Sequence, residues 1–240
     1  SSFAIRNLDL IAGLARETED SFFRGLEQVI GLQPESVTIY QLEIPLNTRL
    51  YRLLQAGHTD RDPPDWETKH ARLASAFERL ESSGYHVRSG YTAVRDPLQH
   101  AFVYQDEQYR GADVLGVGVS AFSYVQGIGQ QNIANLDGYL AARRRGDLPL
   151  WRGYVLSEDE RLIREVVLQL KLGGLDRDYF LDKFGCDVLH RFAAPLEEGS
   201  RRGWFAIRPT GVTVLREGLV RIDRLLSAFY RPAHRDVRYS

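Results

Sequence analysis

The 240-residue sequence contains no methionine, and its single cysteine is Cys186. One cysteine cannot form an internal disulfide, nor can it supply a structural metal site that needs two or more thiolates. We therefore expect a protein of a reducing, cytoplasmic compartment. The chain starts with Ser1-Ser2, and this start together with the missing methionines indicates either a piece of a longer protein or a sequence from which residues have been dropped.

Long apolar runs and an excess of charge of one sign are missing as well. No stretch of about 18 apolar residues occurs, and the N-terminus has neither a basic segment nor an apolar signal core. We expect no membrane span, no export and no membrane partner. The formal net charge is -1, so bulk electrostatics predict no nucleic-acid partner, although Arg143-Arg144-Arg145 forms a local basic patch.

The residues that are present favour a globular α/β protein with a substantial core, since 43% are hydrophobic and 26% charged. The run from Asn7 to Leu14 is short and apolar and turns at Gly13, which predicts a buried strand. A helix capped by Thr18 follows, and a β-branched strand runs from Ser36 to Ile44. Two strands separated by one helix predict a parallel βαβ unit.

Further along, the pattern predicts a helix capped by Asp65 and closed by Gly84. Aromatic-rich stretches broken by Asp96-Pro97 predict two strands, at 87–95 and 101–108. From 111 to 124 an apolar run contains Gly111, Gly116 and Gly118, which permit close approach of backbone or ligand.

The last third of the sequence is predominantly helical. Ser157 to Glu160 predict a capping box, and helices are expected at 178–184, at 187–196 and near the end of the chain. Between the last two, a hairpin is expected from Trp204 to Leu215. This order resembles a winged helix, which can bind DNA but often serves only as packing. Because no recognition helix is strongly basic, no nucleic-acid partner is expected.

Several of these segments, in this order, resemble the C-terminal portion of oxygen-independent coproporphyrinogen III oxidase-like radical SAM enzymes. The matching segments are 7–14, 36–48, 109–124, 163–172 and 232–239. The resemblance implies part of a radical SAM (β/α) barrel at 1–84, an α+β connecting region at 85–150 and a winged-helix-like domain at 151–240. The resemblance also implies that the edge of the first strand is covered by something this chain lacks, either the N-terminal half of the barrel or a partner protein.

The resemblance also implies two cofactors, S-adenosylmethionine and a 4Fe-4S cluster. The family binds the cluster through a CxxxCxxC loop, whose three thiolates leave one iron free. This chain lacks that loop, and Cys186 cannot replace it, so we expect no metal ligands here and interpret Cys186 as a small buried side chain. The residues that would remove or transfer hydrogen cannot be named from the sequence.

For S-adenosylmethionine the resemblance implies Asp9, whose carboxylate can accept hydrogen bonds from ribose hydroxyls; a local turn partner is the alternative. Gly13 either turns the chain or lines the same pocket. Tyr40 and Gln41 end the second strand, where ligands bind in barrels of this kind, and Glu43 is a further polar candidate. The sequence departs from the family at Ala15-Arg16, which leaves the loop after Gly13 undefined.

Heme-carrying relatives have an His-Asn-x-x-Tyr-Trp segment. The comparable stretch of this chain reads Gln99-His-Ala-Phe-Val-Tyr104, so His100 is kept but the Asn and the Trp are not. A single histidine in a polar loop is more often solvated than a ligand. We interpret the other histidines in the same way: His58, His70, His86, His190 and His234. The aromatic residues from 85 to 124 suit either a flat tetrapyrrole-like substrate or the packing between two domains.

Three functions remain open at this point. The first is a fragment of a radical SAM enzyme that acts on a tetrapyrrole, or a radical SAM methyltransferase or cyclopropanase with another substrate. The second is a non-catalytic protein that binds or carries heme or another tetrapyrrole. The third is a catalytically inactive paralogue that acts through protein contacts, which the unpaired edge of an incomplete barrel disfavours.

Overall fold

The structure is a computed structural model that describes residues 5–44, 48–57, 62–100 and 103–235. In these ranges the strands are β1 (Asn7–Ala12), β2 (Ser36–Gln41), β3 (His86–Val87), β4 (Thr92–Val94), β5 (Phe122–Val125), β6 (Ile128–Asn132), β7 (Leu150–Val155), β8 (Gly174–Asp176), β9 (Phe205–Arg208) and β10 (Gly211–Val214). The helices are α1 (Glu19–Gly31), α2 (Arg49–Gln55), α3 (Trp66–Ser82), α4 (Val103–Tyr109), α5 (Leu136–Arg144), α6 (Glu158–Lys171), α7 (Arg177–Phe184), α8 (Val188–Arg191), α9 (Ala193–Arg201), α10 (Arg216–Leu219) and α11 (Ile222–Leu225).

The first sheet has the strand order β1-β2-β4-β3. Strands β1 and β2 are parallel and are joined through α1, whereas the other two pairs are antiparallel. The predicted βαβ unit is therefore confirmed. Helix α1 begins where Thr18 accepts a hydrogen bond from the backbone N–H of Ser21 (3.1 Å), and helix α3 begins in the same way at Asp65. Both predicted N-caps are confirmed.

The two faces of this sheet differ in character because side chains alternate along each strand. One face is apolar and packs against α1 and α3, with Ala12, Val37, Ile39 and Ala93 buried beside helical residues such as Phe22 and Leu73. The opposite face is polar. Since Asn7 pairs with Ser36, Asp9 with Thr38 and Thr38 with Thr92, these side chains share that face. The helices thus leave a polar sheet face for other contacts.

Two strand predictions in the middle of the chain were wrong. The stretch predicted as one strand from Val87 to Arg95 is the hairpin β3–β4, because Ser89 Oγ accepts hydrogen bonds from the N–H groups of Tyr91 and Thr92 (3.2 and 3.0 Å) and turns the chain. The strand predicted from Ala101 to Gln108 is helix α4 from Val103 onward, and 101–102 lie outside the described residues. There, four consecutive polar residues that tolerate a helix outweigh the aromatic β-propensity.

A second sheet, β5-β6-β7, lies between 122 and 155, where the sequence had predicted no strand. It is antiparallel throughout, and every residue of β7 is exposed. The last sheet has the order β8-β10-β9, so the predicted hairpin between Trp204 and Leu215 is confirmed.

The C-terminal helices follow the predictions in part. The capping box is confirmed, and a helix from 177 to 184 matches the one expected there. The helix predicted from Asp187 to Leu196 is divided at Phe192, whose φ of -113° and ψ of 27° leave the helical region. The final helix is also divided, into α10, α11 and a 3-10 turn at Leu226–Phe229. Short helices let the chain wrap around the second core.

That second core gathers residues of α6 to α11, β8, β9 and β10, whereas the first core lies between the N-terminal sheet and its helices. Each core receives one residue from the other part of the chain. Val220 is buried in the first core and Tyr91 in the second. The N-terminal sheet and the C-terminal segment are therefore packed together. Among the described helices, none combines the length and the apolar character needed to cross a bilayer.

The capping box predicts how stability depends on pH. Hydrogen bonds from the backbone N–H of Ser157 and then the hydroxyl of Tyr154 lower the pKa of Glu160 from 4.5 to about 2. A carboxylate with a lowered pKa stabilises the fold above about pH 4.5, and this contribution is lost as pH falls toward 2. In Glu160→Gln, the free energy of unfolding should fall less steeply across this range, as measured by urea denaturation at several pH values.

The matched control is Glu158→Gln, an exposed carboxylate two residues earlier on the same helix. In this variant the free energy of unfolding should fall with decreasing pH as steeply as it does in the wild type. An unchanged slope in Glu160→Gln would show that the capping carboxylate does not contribute to the acid sensitivity.

Candidate functional site

The candidate site begins with a row of polar side chains across the open face of the first sheet. Asn7 Oδ1 accepts hydrogen bonds from the hydroxyls of Ser36 (2.7 Å) and Thr38 (3.1 Å). Asn7 Nδ2 donates to Asp9 Oδ1 at 2.6 Å. Ser36 and Thr38 are buried, whereas Asp9 is exposed. The row therefore fixes one oxygen of Asp9 and presents its carboxylate at the exposed end of the network.

Tyr40 lies on the same face, because Ile11 is its partner in β1 and Asp9 is two residues earlier. Burial, and next the negative charge of Asp9, raise the pKa of Tyr40 above its usual value. The Tyr40 ring packs against Tyr91, with the ring centroids 5.9 Å apart. Asp9 and Tyr40, two of the four residues predicted to contact the cofactor, are thus brought together.

Asp223, in the C-terminal segment after β10, lies beside this face and carries a negative charge. Tyr91 donates its hydroxyl hydrogen to Asp223, which also pairs with Lys171 at 2.9 Å. Burial and the adjacent Asp223 raise the pKa of the Tyr91 hydroxyl far above its usual value. Glu43 lies near the same charges, and burial and then Asp223 raise its pKa as well. Glu43, a further candidate from the sequence, therefore faces this cluster at the carboxyl end of β2.

Gly13 lies at a turn under helix α3. Its φ of +92° favours glycine, and a Cβ there would approach Lys69 Cγ to 2.9 Å. Its N–H donates to Glu17 Oε2 (2.9 Å), and Glu17 pairs with Arg72 at 3.2 Å. The surroundings of Gly13 are therefore the turn and the Lys69 stem, which supports the first of the two roles left open, turning the chain.

Gln41 lies apart from Asp9, since its side chain points to the helical side of the sheet. Its Nε2 donates to the carbonyl of Val220 at 2.8 Å, across 179 positions of sequence. Its Oε1 is buried and has no hydrogen-bond partner among the described residues. The structure therefore gives Gln41 a role in joining β2 to the C-terminal segment, and its contact with a cofactor stays a prediction.

The sequence interpretation missed Asn7, Thr38, Tyr91 and Asp223. A signal for the first two was present, because Asn7 and Asp9, like Ser36 and Thr38, are polar residues at the two-residue spacing of one strand face. No signal pointed to Asp223, which is 132 positions away from its partner Tyr91. Only folding brings the two together.

The residues present do not fit an iron–sulfur cluster. Cys186 is the only cysteine, and it packs against the C-terminal core, where burial raises the pKa of its thiol. A cluster needs several thiolates on one loop. Among the described residues, no group of three or more Cys, His, Asp or Glu could hold a metal ion.

The histidines and aromatic residues differ in their surroundings. His100 Nδ1 is buried and makes no hydrogen bond within the part of the chain that the structure describes, and His58 lies outside that part. His70 was expected to be solvated, but it is 6% exposed on α3, because Trp66 covers its ring at 5.8 Å. Tyr85, Tyr91 and Tyr124 are buried, which favours packing for these aromatic residues.

Comparison with curated proteins shows similarity over nearly the whole chain. It is 29% identical to the oxygen-independent coproporphyrinogen III oxidase of Pseudomonas aeruginosa over 256 residues, which cover 98% of this chain and 54% of that protein. It is 26% identical to the enzyme of the same name from Escherichia coli, over 95% of this chain and 52% of that protein. With the heme chaperone HemW of Bacillus subtilis it shares 22% identity, over 93% of this chain and 58% of the relative.

The fold is similar to that of coproporphyrinogen III oxidase (HemN) from Escherichia coli, which is described as a radical SAM enzyme. The TM-score is 0.74 at 26% identity, and the match covers 95% of this chain and 55% of the other. The α/β class with mixed sheets is thereby confirmed. The chain spans about half the length of the curated relatives it matches. No family model matches it.

Proposed function

Because the chain resembles oxygen-independent coproporphyrinogen III oxidases, we propose that it is the part of a radical SAM enzyme that binds S-adenosylmethionine beside a tetrapyrrole substrate. The observation that carries this proposal is the polar network that ends at the exposed carboxylate of Asp9. This network leads from the buried hydroxyls of Ser36 and Thr38 to an exposed acceptor, which leaves the carboxylate accessible to a ligand. In the proposal, 1–84 form part of the barrel and 151–240 a winged-helix-like domain.

The residues of the open face fit S-adenosylmethionine. Asp9 would accept hydrogen bonds from the ribose hydroxyls, and the Tyr40 ring, 47% exposed, offers an apolar surface beside it. Asn7 holds the Asp9 carboxylate in place, so that it need not be ordered when the ligand binds. When bound, S-adenosylmethionine would supply a bond that is cleaved reductively.

The reductive electron must come from outside these residues, since the chain offers no ligand set for a cluster. We therefore assign binding and orientation to this chain and no electron transfer. The enzyme as a whole would contain the cysteine loop. Anaerobic reconstitution of the longer protein with iron and sulfide should yield the visible absorbance of a cluster, whereas the 240-residue chain should yield none.

The assignment of Asp9 is tested by titrating the 240-residue chain with S-adenosylmethionine in a calorimeter. In Asp9→Asn, the dissociation constant should rise about 10- to 100-fold, because a hydrogen bond to a charged group contributes about 1.5–3 kcal/mol. The unfolding midpoint should change little, since Asp9 is exposed.

The matched control is Asp20→Asn, an exposed carboxylate in the first turn of α1. It should bind S-adenosylmethionine as the wild type does. If the wild type binds no S-adenosylmethionine, or if Asp9→Asn binds it equally well, Asp9 is not a contact of the cofactor.

A second candidate function is heme or tetrapyrrole binding without catalysis. It is supported by the similarity to a heme chaperone and by His100, whose Nδ1 has no hydrogen-bond partner among the described residues. An imidazole nitrogen without a hydrogen-bond partner can bind iron. Heme titration should then produce a saturable Soret shift that is lost in His100→Ala. No shift in the wild type would remove this candidate.

A further inference from the structure

A cavity of about 520 Å³ lies between the start of α3 and the C-terminal segment. One wall comes from Trp66 and His70 of α3, and the other from Trp204, Phe205 and Phe229. None of these residues belongs to the polar face around Asp9. The volume is in the range of small-molecule sites, which are typically about 300–1,000 Å³.

Two tryptophans and two phenylalanines contribute to the walls of this cavity. The sequence contains three tryptophans, and two of them, Trp66 and Trp204, line it. Tryptophan is large and apolar, and a cavity lined by two of them, with Phe229 behind, favours a ligand with an apolar, flat body. The aromatic walls therefore determine the shape and polarity of the ligand.

The rim of the cavity carries arginines, and their partners differ. Arg202 pairs with Glu198, and Arg221 pairs with Glu217 and lies 3.7 Å from Glu67. Arg224 makes no ion pair with any residue in the described ranges, and its guanidinium lies over the Trp66 ring at 5.4 Å. Arg224 is thus a cation whose charge is not neutralised by a neighbouring carboxylate, next to an aromatic wall.

His70 adds a polar group inside the cavity. It is buried, and its ring packs against Trp66 with the centroids 5.8 Å apart. Burial, and next the positive charge of Arg221, lower the pKa of His70. The imidazole is therefore neutral near pH 7 and offers one N–H donor and one acceptor nitrogen. A ligand inside the cavity can be oriented by this ring.

We propose that this cavity binds a small aromatic carboxylate, with its apolar body between the tryptophans and its carboxylate at Arg224. A guanidinium is the side chain best suited to a carboxylate, because its N–H groups match the two oxygens. A neutral ligand would leave Arg224 without an ion pair, and a cationic one would be repelled by its charge. The proposal does not rest on S-adenosylmethionine binding, since the two sites share no residue.

The test uses 2-naphthoate as the probe and 2-naphthamide as its neutral analogue, titrated into the 240-residue chain by calorimetry. The wild type should bind 2-naphthoate saturably and 2-naphthamide at least about 10-fold more weakly, because only the acid forms a charge-assisted hydrogen bond. Arg224→Ala should weaken 2-naphthoate about 10-fold and leave 2-naphthamide unchanged. Tryptophan emission should be quenched by the probe even in Trp151→Phe, which keeps both tryptophans of the cavity.

The matched control is Arg144→Ala, which removes an exposed arginine of α5 that does not line the cavity. It should leave the affinity for 2-naphthoate unchanged. Arg224→Gln, checked by circular dichroism, replaces Arg224→Ala if that variant does not fold, and the acid–amide comparison in the wild type needs no variant. The proposal is overturned if 2-naphthoate gives no saturable binding or if the acid and the amide bind equally well. It is also overturned if substitution of Arg224 leaves the affinity for 2-naphthoate unchanged.

Discussion

A Lys183→Met variant is expected to lose about 3 kcal/mol of unfolding free energy, because it leaves a buried carboxylate without its cation. Glu165 is 2% exposed on α6. Its Oε1 lies 2.8 Å from Lys183 Nζ, and its Oε2 accepts a hydrogen bond from the Tyr179 hydroxyl at 2.6 Å. Lys183 also donates to the carbonyl of Arg110 at 2.8 Å. Urea denaturation at pH 7 would measure the loss.

The two members of this ion pair should differ in their effect. The Lys183 side chain is 39% exposed, whereas that of Glu165 is 3% exposed. In Glu165→Gln, water can solvate the remaining lysine, so the expected loss is smaller, about 1 kcal/mol. The double variant should lose less than the sum of the two single losses, because neither charge is then left alone.

Asp182→Asn is the control on the same helix, since Asp182 is exposed beside Lys183. Its effect should stay within about 0.5 kcal/mol. Additive losses in the double variant would contradict the idea that the pair acts as a unit.

This ion pair also positions the start of the segment that follows α4. Lys183 donates to the carbonyl of Arg110, and the Tyr179 hydroxyl, whose hydrogen goes to Glu165, lies 2.9 Å from the same carbonyl oxygen. The next residue, Gly111, has a φ of +86°, and a Cβ there would lie 2.1 Å from Glu165 Oε1. The close approach explains why the chain needs glycine at this position. The sequence had indicated close contact at Gly111, and the structure identifies Glu165 as the group that approaches.

An Arg72→Met variant is the second change with a large expected effect, again about 3 kcal/mol. Arg72 is 9% exposed, and its guanidinium lies 3.2 Å from Glu17 Oε2. The Glu17 side chain is 12% exposed and also accepts the N–H of Gly13 at 2.9 Å. Methionine keeps most of the apolar stem of Arg72 but leaves the Glu17 carboxylate without its cation. Urea denaturation would measure the loss.

Arg79→Met is the matched control, because Arg79 lies on the same helix and pairs with Glu27 where both side chains are exposed, at 46% and 58%. An exposed pair contributes about 0–1 kcal/mol, so the control should lose much less. Equal losses in the two variants would mean that burial of the Arg72–Glu17 pair does not matter. Since Glu17 holds the turn at Gly13, the loss at Arg72 should also increase hydrogen exchange at the Gly13 amide.

The sequence was informative wherever local pattern and tertiary environment agree. Strands β1 and β2 have apolar residues at every second position, α1 and α3 have polar caps at Thr18 and Asp65, and α6 has a capping box. In each, the chemistry of a few neighbouring residues is sufficient to favour one backbone conformation. The resemblance to coproporphyrinogen III oxidases rested in part on β1, β2 and α6, and the comparisons confirmed it.

Where the local preference for helix or strand is weak, the predictions from the sequence were wrong. Val103–Tyr109 has aromatic residues that favour a strand, yet it is a helix that contacts α6 and whose following carbonyl, that of Arg110, is contacted by two side chains of α7. The hairpin β3–β4 depends on the single hydroxyl of Ser89. A short segment with mixed propensities takes the conformation that its long-range partners favour.

The lack of further cysteines was sufficient by itself to exclude one kind of site. One cysteine excludes a cluster site on this chain whatever its fold, because ligand count is a property of composition. The sequence likewise determined the βαβ unit and the place of Asp9 on a strand. Only the tertiary structure decided that Asn7 holds Asp9, that Tyr91 meets Asp223, and that Trp66 and Trp204 line one cavity. These contacts join residues on different elements, and their distances depend on how the elements pack.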